Sequence, residues 1–96
     1  MQGKETIKTL KAIADERRFR IVEELREKDL FEQELLAIVN LAPSTLAHHL
    51  KILMDCGLII RTTMNRNALF SLSLEKLNEL AFALTRGDTV YSKTLI

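Results

Sequence analysis

Apolar residues recur at every third or fourth position along most of the chain, and this spacing is typical of amphipathic helices. The predicted helices cover residues 4–14, 16–27, 31–39, 43–56 and 74–86. After Gly57 the pattern changes, because residues 58–63 are rich in the β-branched side chains that favour strands. Residues 69–73 predict a returning strand, and residues 65–67 have the composition of a turn between the two.

The boundaries between these segments carry residues suited to starting or ending a helix. Asp15 is a predicted N-cap, and Pro43 suits the first position of a helix. Asn40 and Gly57 suit helix C-termini, and residues 29–30 form a predicted link. The resulting order is helix, helix, helix, helix, strand, strand, helix. It predicts a mostly α fold with a small β-hairpin, the arrangement of a winged helix-turn-helix.

Two segments carry a pattern more specific than helical spacing. Residues 10–21 run Leu-Lys-Ala-Ile-Ala-Asp-Glu-Arg-Arg-Phe-Arg-Ile, and residues 41–53 run Leu-Ala-Pro-Ser-Thr-Leu-Ala-His-His-Leu-Lys-Ile-Leu. With the hairpin after Gly57, residues 10–72 resemble the ArsR/SmtB family of bacterial and archaeal winged-helix repressors. The resemblance implies a homodimer that represses transcription and releases DNA on binding a signal, often a metal ion. Ala42 stands where the family usually has a capping serine, which predicts a weak start for the DNA-reading helix.

The positions at which the family binds metals hold other residue types in this chain. Phe31 and Gln33 stand where metal-sensing members have a Cys-x-Cys pair, and residues 77–84 contain no His or Cys. Soft metal ions need two or three converging thiolates, and Cys56 is the one cysteine in the sequence. We therefore expect no thiolate metal site and no cofactor. Zinc held by glutamates of the last helix together with a partner subunit is a minor alternative.

The predicted helix at 43–56 divides into an apolar and a polar face. Leu46, Leu50 and Leu53 share the side expected to face the core. In a helix that enters the major groove, residues of the N-terminal half reach base edges. The predicted base-contacting residues are Ser44, Ala47 and His48, and the other predicted DNA-contacting residues are Thr45, Lys51, Arg61 and Arg66. The alternative for the polar face is ordinary solvation.

The charge balance limits how this chain could meet DNA. The formal net charge is +1, from 14 Lys and Arg against 13 Asp and Glu, so nucleic acid would meet a local patch rather than a global field. Arg61 and Arg66 lie on the hairpin, where a cation can reach a phosphate or a narrow minor groove. The alternative is an exposed loop charge. Arg17, Arg18 and Arg20 open the second helix, and pairing with nearby acids is favoured over phosphate contact.

His48 and His49 are neighbours in the sequence, which invites a metal-binding interpretation. Adjacent helical residues point about 100° apart, so the two rings cannot easily chelate one ion. We expect His49, on the same flank of the helix as Cys56, to be a structural histidine. Cys56 is expected to be a small buried side chain rather than a redox sensor.

The first and last helices carry apolar stripes that a small core is not expected to cover fully. In the family these two helices form the dimer, and a chain of 96 residues gains from association because its own core is modest. The predicted interface residues are Ile7, Leu10, Leu77, Leu80, Ala81 and Leu84. The alternative is that both helices cap the core of a monomer. Residues 1–96 are expected to form one winged-helix domain.

Other classes of protein lack support in the sequence. The chain has no Gly-rich phosphate loop, no defensible Ser-His-acid arrangement and no metal-ligand spacing, so an enzyme is not expected. It has no apolar run long enough to cross a membrane and no apolar signal region near Met1, so a cytoplasmic protein is expected. The predicted function is a sequence-specific transcriptional regulator, acting as a repressor on a palindromic operator, with an unidentified effector. Alternatives are a winged-helix module for protein–protein contact and an architectural DNA binder.

Overall fold

The computed structural model describes residues 1–86, within which the chain forms five helices and three strands. The elements are α1 (Gly3–Ile13), α2 (Glu16–Glu27), β1 (Leu30–Phe31), α3 (Glu32–Val39), α4 (Pro43–Asp55), β2 (Ile59–Met64), β3 (Asn67–Leu72) and α5 (Leu74–Thr85). The predicted order of helices and hairpin strands is confirmed. Gly87 and Asp88, which by residue type are predicted to end the last helix, and the tail to Ile96 lie outside the described residues. None of the helices in residues 1–86 is long and apolar enough to span a membrane.

Local signals set the helix ends where the sequence predicts them. The Asp15 carboxylate accepts the backbone N–H groups of Arg17 and Arg18 at 2.9 and 3.2 Å, which caps α2. Asn40 ends α3 in the left-handed conformation, with φ 51°. Gly57 follows α4 with φ 82°, and the N–H groups of Gly57 and Leu58 return to carbonyls of the last turn at 2.9 and 3.1 Å. This closure sends the chain directly from α4 into β2.

Strand β1 corrects the prediction that residues 29–30 are only a link. Leu30 pairs with Phe70 and Phe31 pairs with Leu69, so β1 joins β3 in an antiparallel sheet of order β1-β3-β2. The Leu30 side chain is 1% exposed. Two residues are too few to show an alternating pattern. Their strand conformation comes from hydrogen bonding to a partner about 40 residues away.

The core lies between α2, α3, α4 and the base of the hairpin. Leu46, Leu50 and Leu53 of α4 are 0%, 2% and 0% exposed, which confirms their prediction as core residues. The other buried apolar residues include Ile21, Val22, Leu25, Leu35, Leu58, Ile59 and Phe70. Helix α4 is therefore fixed by one face, and its opposite face is left to solvent.

Helical spacing of apolar residues predicts that Phe19, Val22 and Leu25 share the apolar side of α2, and for Phe19 this prediction is wrong, because its side chain is 49% exposed. The inward stripe of α2 is Arg18, Ile21, Val22 and Leu25, at i, i+3, i+4 and i+7. Phe19 lies one residue beyond this stripe, about 100° around the helix axis. Arg18 lies on this inward stripe, where its guanidinium has hydrogen-bonding partners.

Candidate nucleic-acid interface

Helices α3 and α4 form a helix-turn-helix whose second helix exposes a polar face. The turn occupies residues 40–42, and α4 begins at Pro43. The predicted contact residues with exposed side chains are Ser44, Ala47, His48 and Lys51, whereas Thr45 is partly buried. Ser44, Ala47 and His48 lie in the first half of α4, the part of a recognition helix that meets base edges.

The backbone N–H groups at the N-terminus of α4 are not capped by the side chain of the N-cap residue. Ala42 is the N-cap residue and offers no side-chain acceptor, as its residue type predicts. The first intrahelical bond runs from the Leu46 N–H to the Ala42 carbonyl at 3.0 Å. Pro43 has no N–H, so the backbone donors at the helix start are those of Ser44 and Thr45. Such donors, at the positive end of the helix dipole, suit a phosphate oxygen.

Lys51 is held by an acid of its own helix. Its Nζ lies 2.9 Å from Oδ2 of Asp55, one turn further along α4. The two side chains are 71% and 52% exposed, so water and salt screen the pair and its contribution to stability is small. A phosphate approaching Lys51 would nevertheless compete with Asp55.

The hairpin ends in a two-residue turn that places Arg66 at its tip. Asn65 and Arg66 have φ of 51° and 67°, and Met64 pairs with Asn67 on either side of them. These angles are those of a type I′ turn, in which the second position usually holds Gly. The left-handed conformation costs an L-residue such as arginine about 1 kcal/mol. The amide of Asn67 donates to the Asn65 carbonyl at 3.1 Å and helps to hold the turn.

Arg61 occupies the middle of β2 and is exposed. It pairs across the sheet with Phe70, so it lies on the hairpin face that carries buried Phe70 and Ile59. Ile60 and Met64 lie on the other face and are 49% and 50% exposed. The two predicted hairpin cations thus stand at the middle and at the tip of the wing.

The three arginines at the start of α2 have different surroundings. Arg20 pairs with Glu24 at 2.9 Å, which confirms the favoured structural interpretation for that residue. Arg18 is also structural, because its Nε donates to the Ala12 carbonyl at 2.6 Å and its Nη1 lies 3.1 Å from Nδ1 of His49. Arg17 is exposed and forms no ion pair within residues 1–86.

The two histidines of α4 are placed in opposite environments. His48 is exposed, whereas His49 is 6% exposed and bonded to Arg18, which confirms its prediction as a structural histidine. Burial is the main cause that lowers the pKa of His49 below its ordinary value. The Arg18 cation lowers it further, and the Asp15 carboxylate acts in the opposite direction. Sequence reasoning did not identify the Arg18 contact, because only the tertiary fold brings these residues together.

Asp15 caps the start of α2, and Cys56 follows the last residue of α4. The backbone hydrogen bond from Arg18 is the largest cause that holds the pKa of Asp15 below its usual value. Cys56 is buried with a free thiol, whose Sγ lies 3.3 Å from the Leu53 carbonyl, as expected for a small buried side chain. Residues 1–86 contain no group of three or more His, Cys, Asp or Glu side chains positioned to hold a metal ion.

The terminal helices expose large apolar side chains away from α4. Ile7 is 52% exposed, Phe82 is 65% and Leu84 is 59%, whereas Leu80 is 4% exposed within the single chain. Leu10 and Leu77 are partly buried, and Ala81 is exposed. Of the predicted interface residues, Leu80 is therefore already buried within its own protomer. A substitution of Leu80 would affect the stability of the fold and would not report on the dimer alone.

An open groove of about 540 Å³ separates α1 from the outer side of α5. Its lining residues are Met1, Gly3, Thr6, Ile7, Glu79, Phe82, Ala83 and Arg86. Lys76 of α5 reaches Glu5 of α1 at 3.5 Å and links the two helices. Phe82 was missed in the sequence because it lies off the Leu77–Leu80–Leu84 stripe. Its aromatic side chain on an otherwise polar arc of the helix was the available signal.

Comparisons with known proteins agree with this geometry. Residues 15–61 match the sequence model of a family described as the arsR family of bacterial regulatory proteins. This span runs from the cap of α2 through α3 and α4 into β2. None of the curated proteins compared with the chain matches its sequence significantly.

Several solved structures have the same fold. An ArsR-like transcriptional regulator from Rhodococcus sp. RHA1 is 26% identical with a TM-score of 0.80, over 96% of this chain and 87% of that one. HlyU from Vibrio cholerae is 30% identical with a TM-score of 0.72, over 88% of this chain and 97% of that one. A homodimeric winged helix-turn-helix DNA-binding domain from Mycobacterium bovis is 20% identical with a TM-score of 0.74, over 86% and 76% of the two chains. This last likeness concerns the fold alone.

Proposed function

The chain belongs to the ArsR family of bacterial regulatory proteins, and from this premise we propose that it is a homodimeric repressor that binds a palindromic DNA operator. As a member of this family, the chain is a transcriptional regulator with a winged helix-turn-helix DNA-binding domain. Repression, the dimer and the contact residues are the proposal.

The observation that carries the proposal is the division of α4 into two faces. Leu46, Leu50 and Leu53 are buried, so the helix is rigidly mounted on the core. On the open side, Ser44 and Ala47 are small enough for the helix to approach base edges closely, and His48 adds a hydrogen-bonding ring. We assign base contacts to Ser44, Ala47 and His48. Thr45 contributes its backbone N–H to a phosphate.

Cations at both sides of this helix complete the proposed contact surface. Lys51 is assigned to a phosphate beyond the base-contacting residues, in competition with Asp55. Arg61 and Arg66 are assigned to the backbone or the minor groove beside the wing. An arginine at a turn position that usually holds Gly supports this assignment, because its conformational cost needs a compensating role.

The dimer is proposed to form through the terminal helices. Apolar side chains as exposed as Ile7, Phe82 and Leu84 are costly in water unless a second surface covers them. A second copy supplies a matching apolar surface through a two-fold axis. The same axis would place two copies of α4 in successive major grooves, with half-sites about 34 Å apart.

The signal that releases DNA is proposed not to be a soft metal ion bound by thiolates. Phe31 and Gln33 occupy the positions of the family's cysteine pair, and the one thiol, Cys56, is buried at the end of α4. If two copies of α4 lie one helical turn of DNA apart, their Cys56 thiols do not meet at one ion.

A second candidate is a winged-helix module that binds another protein. The exposed apolar face of β2, at Ile60 and Met64, favours it, because DNA offers little apolar surface to such side chains. The low net charge of the chain also favours a protein partner over DNA.

Selection of duplexes from a random DNA library by the wild-type protein separates these candidates. The proposal expects enrichment of a symmetric site with two inverted halves whose centres lie about one helical turn, or a multiple, apart. Enrichment without a shared sequence would instead indicate an architectural binder. A library that emerges unchanged would contradict DNA binding and favour the protein partner.

A further inference from the structure

Arg18 connects the junction between α1 and α2 with α4, a helix that is distant from both in the sequence. Its Nε donates to the carbonyl of Ala12 in the last turn of α1 at 2.6 Å. Its backbone N–H is one of the two donors to the Asp15 cap of α2, and its Nη1 lies 3.1 Å from Nδ1 of His49 in the middle of α4. The end of α1, the start of α2 and the centre of the recognition helix therefore meet at one guanidinium.

The contact with Arg18 defines the protonation state of His49. A guanidinium has only donors, so Nδ1 of His49 must accept and the ring proton of the neutral form must sit on Nε2. A second ring proton would replace the accepting lone pair with an N–H. It would also place two cations 3.1 Å apart at a residue that is 6% exposed.

We propose that Arg18 is a positioning residue for DNA binding, which holds α4 against the end of α1 through neutral His49, so that a proton on His49 loosens the recognition helix and lowers operator affinity. This inference rests on the proposed function. The link joins a helix of the proposed dimer surface to the helix of the proposed DNA surface. The side chains proposed to contact DNA take no part in this link.

The charges around His49 set the expected direction. They comprise Asp15, Arg17 and Arg18 on α2 and His48 on its own helix, and the cleft beside Arg18 is further lined by Lys8 and Lys11 of α1 and Asp55 of α4. Asp15 favours the protonated ring, whereas burial and the neighbouring cations oppose it, and the pKa of His49 is lowered. The link is therefore intact at and above the ordinary histidine pKa of about 6.5, and it is lost as the pH falls through the lowered pKa of His49.

The neighbouring His48 carries a second imidazole and is exposed on the proposed contact face. The two histidines can be separated with His49→Asn, whose side-chain oxygen can accept from Arg18 but cannot take a proton. His48 is present in both proteins, so its contribution cancels in the ratio of their operator dissociation constants.

The experiment measures binding of the selected duplex by fluorescence anisotropy at constant ionic strength. The ratio of Kd for the wild type to Kd for His49→Asn should rise severalfold as the pH falls from about 7.5 to about 5, with most of the rise below the ordinary histidine pKa of about 6.5, because only the wild type takes up a proton at this position and its pKa is lowered. Arg18→Lys keeps the charge but cannot serve both Ala12 and His49. It should weaken binding at neutral pH and flatten the profile. Arg17→Lys is the matched control and should keep the wild-type profile.

A measurement on the wild type alone guards against variants that fold poorly. Nitrogen-15 NMR should show His49 as the Nε2–H tautomer. Its pKa should fall further when the selected duplex is added, because linkage is reciprocal. Parallel pH profiles for wild type and His49→Asn, or a His49 pKa that DNA does not move, would overturn the inference while leaving DNA binding intact. Failure to select any duplex would overturn the proposed function and this inference with it.

Discussion

Helix α4 and the terminal helices both face solvent, but they expose opposite kinds of side chain. The open face of α4 carries small or polar residues such as Ser44, Ala47 and His48 over a fully buried leucine stripe. The terminal-helix surface is made of the exposed apolar residues Met1, Ile7, Ala81, Phe82, Ala83 and Leu84. The first surface is stable in water, and its proposed recognition of bases relies on hydrogen bonds. The second is proposed to be covered by a second copy of the chain.

The two surfaces are therefore expected to respond differently to substitution. On α4, each contact is separate, so removing one side chain should remove one interaction. On the terminal-helix surface, burial is cooperative, because one charge placed in an apolar seam lacks both water and a partner. The expected effects therefore differ in size and in the measurement that reveals them.

The largest effect is expected from a charge on the terminal-helix surface. Phe82→Glu or Leu84→Glu should convert a dimer to a monomer, and operator affinity should fall about a hundredfold because the two half-sites no longer bind as one. Sedimentation velocity and anisotropy measure the two outcomes. Ile60→Glu, at a similarly exposed apolar position on the wing, is the control and should leave assembly unchanged. A wild-type chain that sediments as a monomer at tens of micromolar would refute the proposed dimer.

A smaller effect is expected on the DNA face of α4. Ser44→Ala or His48→Ala should cost about 1–3 kcal/mol at the selected operator and relax sequence preference at one position in each half-site. Sedimentation should show no change in assembly, because both side chains are exposed on the open face of α4. The variants are compared on the selected duplex and on single-base mutants of it. If neither affinity nor preference changes, α4 does not read the bases as assigned.

The smallest effect is expected from the Lys51–Asp55 pair, and its sign depends on which partner is removed. Asp55→Asn frees the ammonium and should tighten binding to all sequences by less than about 1 kcal/mol, the range of exposed pairs. Lys51→Ala should weaken it and reduce the log–log salt slope by about one unit. Salt titrations of both variants test this. Equal slopes for wild type and Lys51→Ala would show that Lys51 meets no phosphate.

Much of the fold and of the DNA face could be predicted because the signals are local. The cap at Asp15, the left-handed end at Asn40 and the Gly57 closure depend on residues within one helical turn. The division of α4 into a buried leucine stripe and an open polar face follows from helical spacing in the same way. The contact roles of that open face are still predictions.

The remaining features were decided by the tertiary structure, because each depends on a partner distant in sequence. Strand β1 forms because β3 lies beside it. Arg18, rather than Phe19, lies on the inward side of α2 because the Ala12 carbonyl and His49 accept its hydrogen bonds. Leu80 is buried while Leu84 of the same stripe is exposed. Periodicity reports which side of a helix is apolar. How far along that side the core extends is set by the packing of other elements against it.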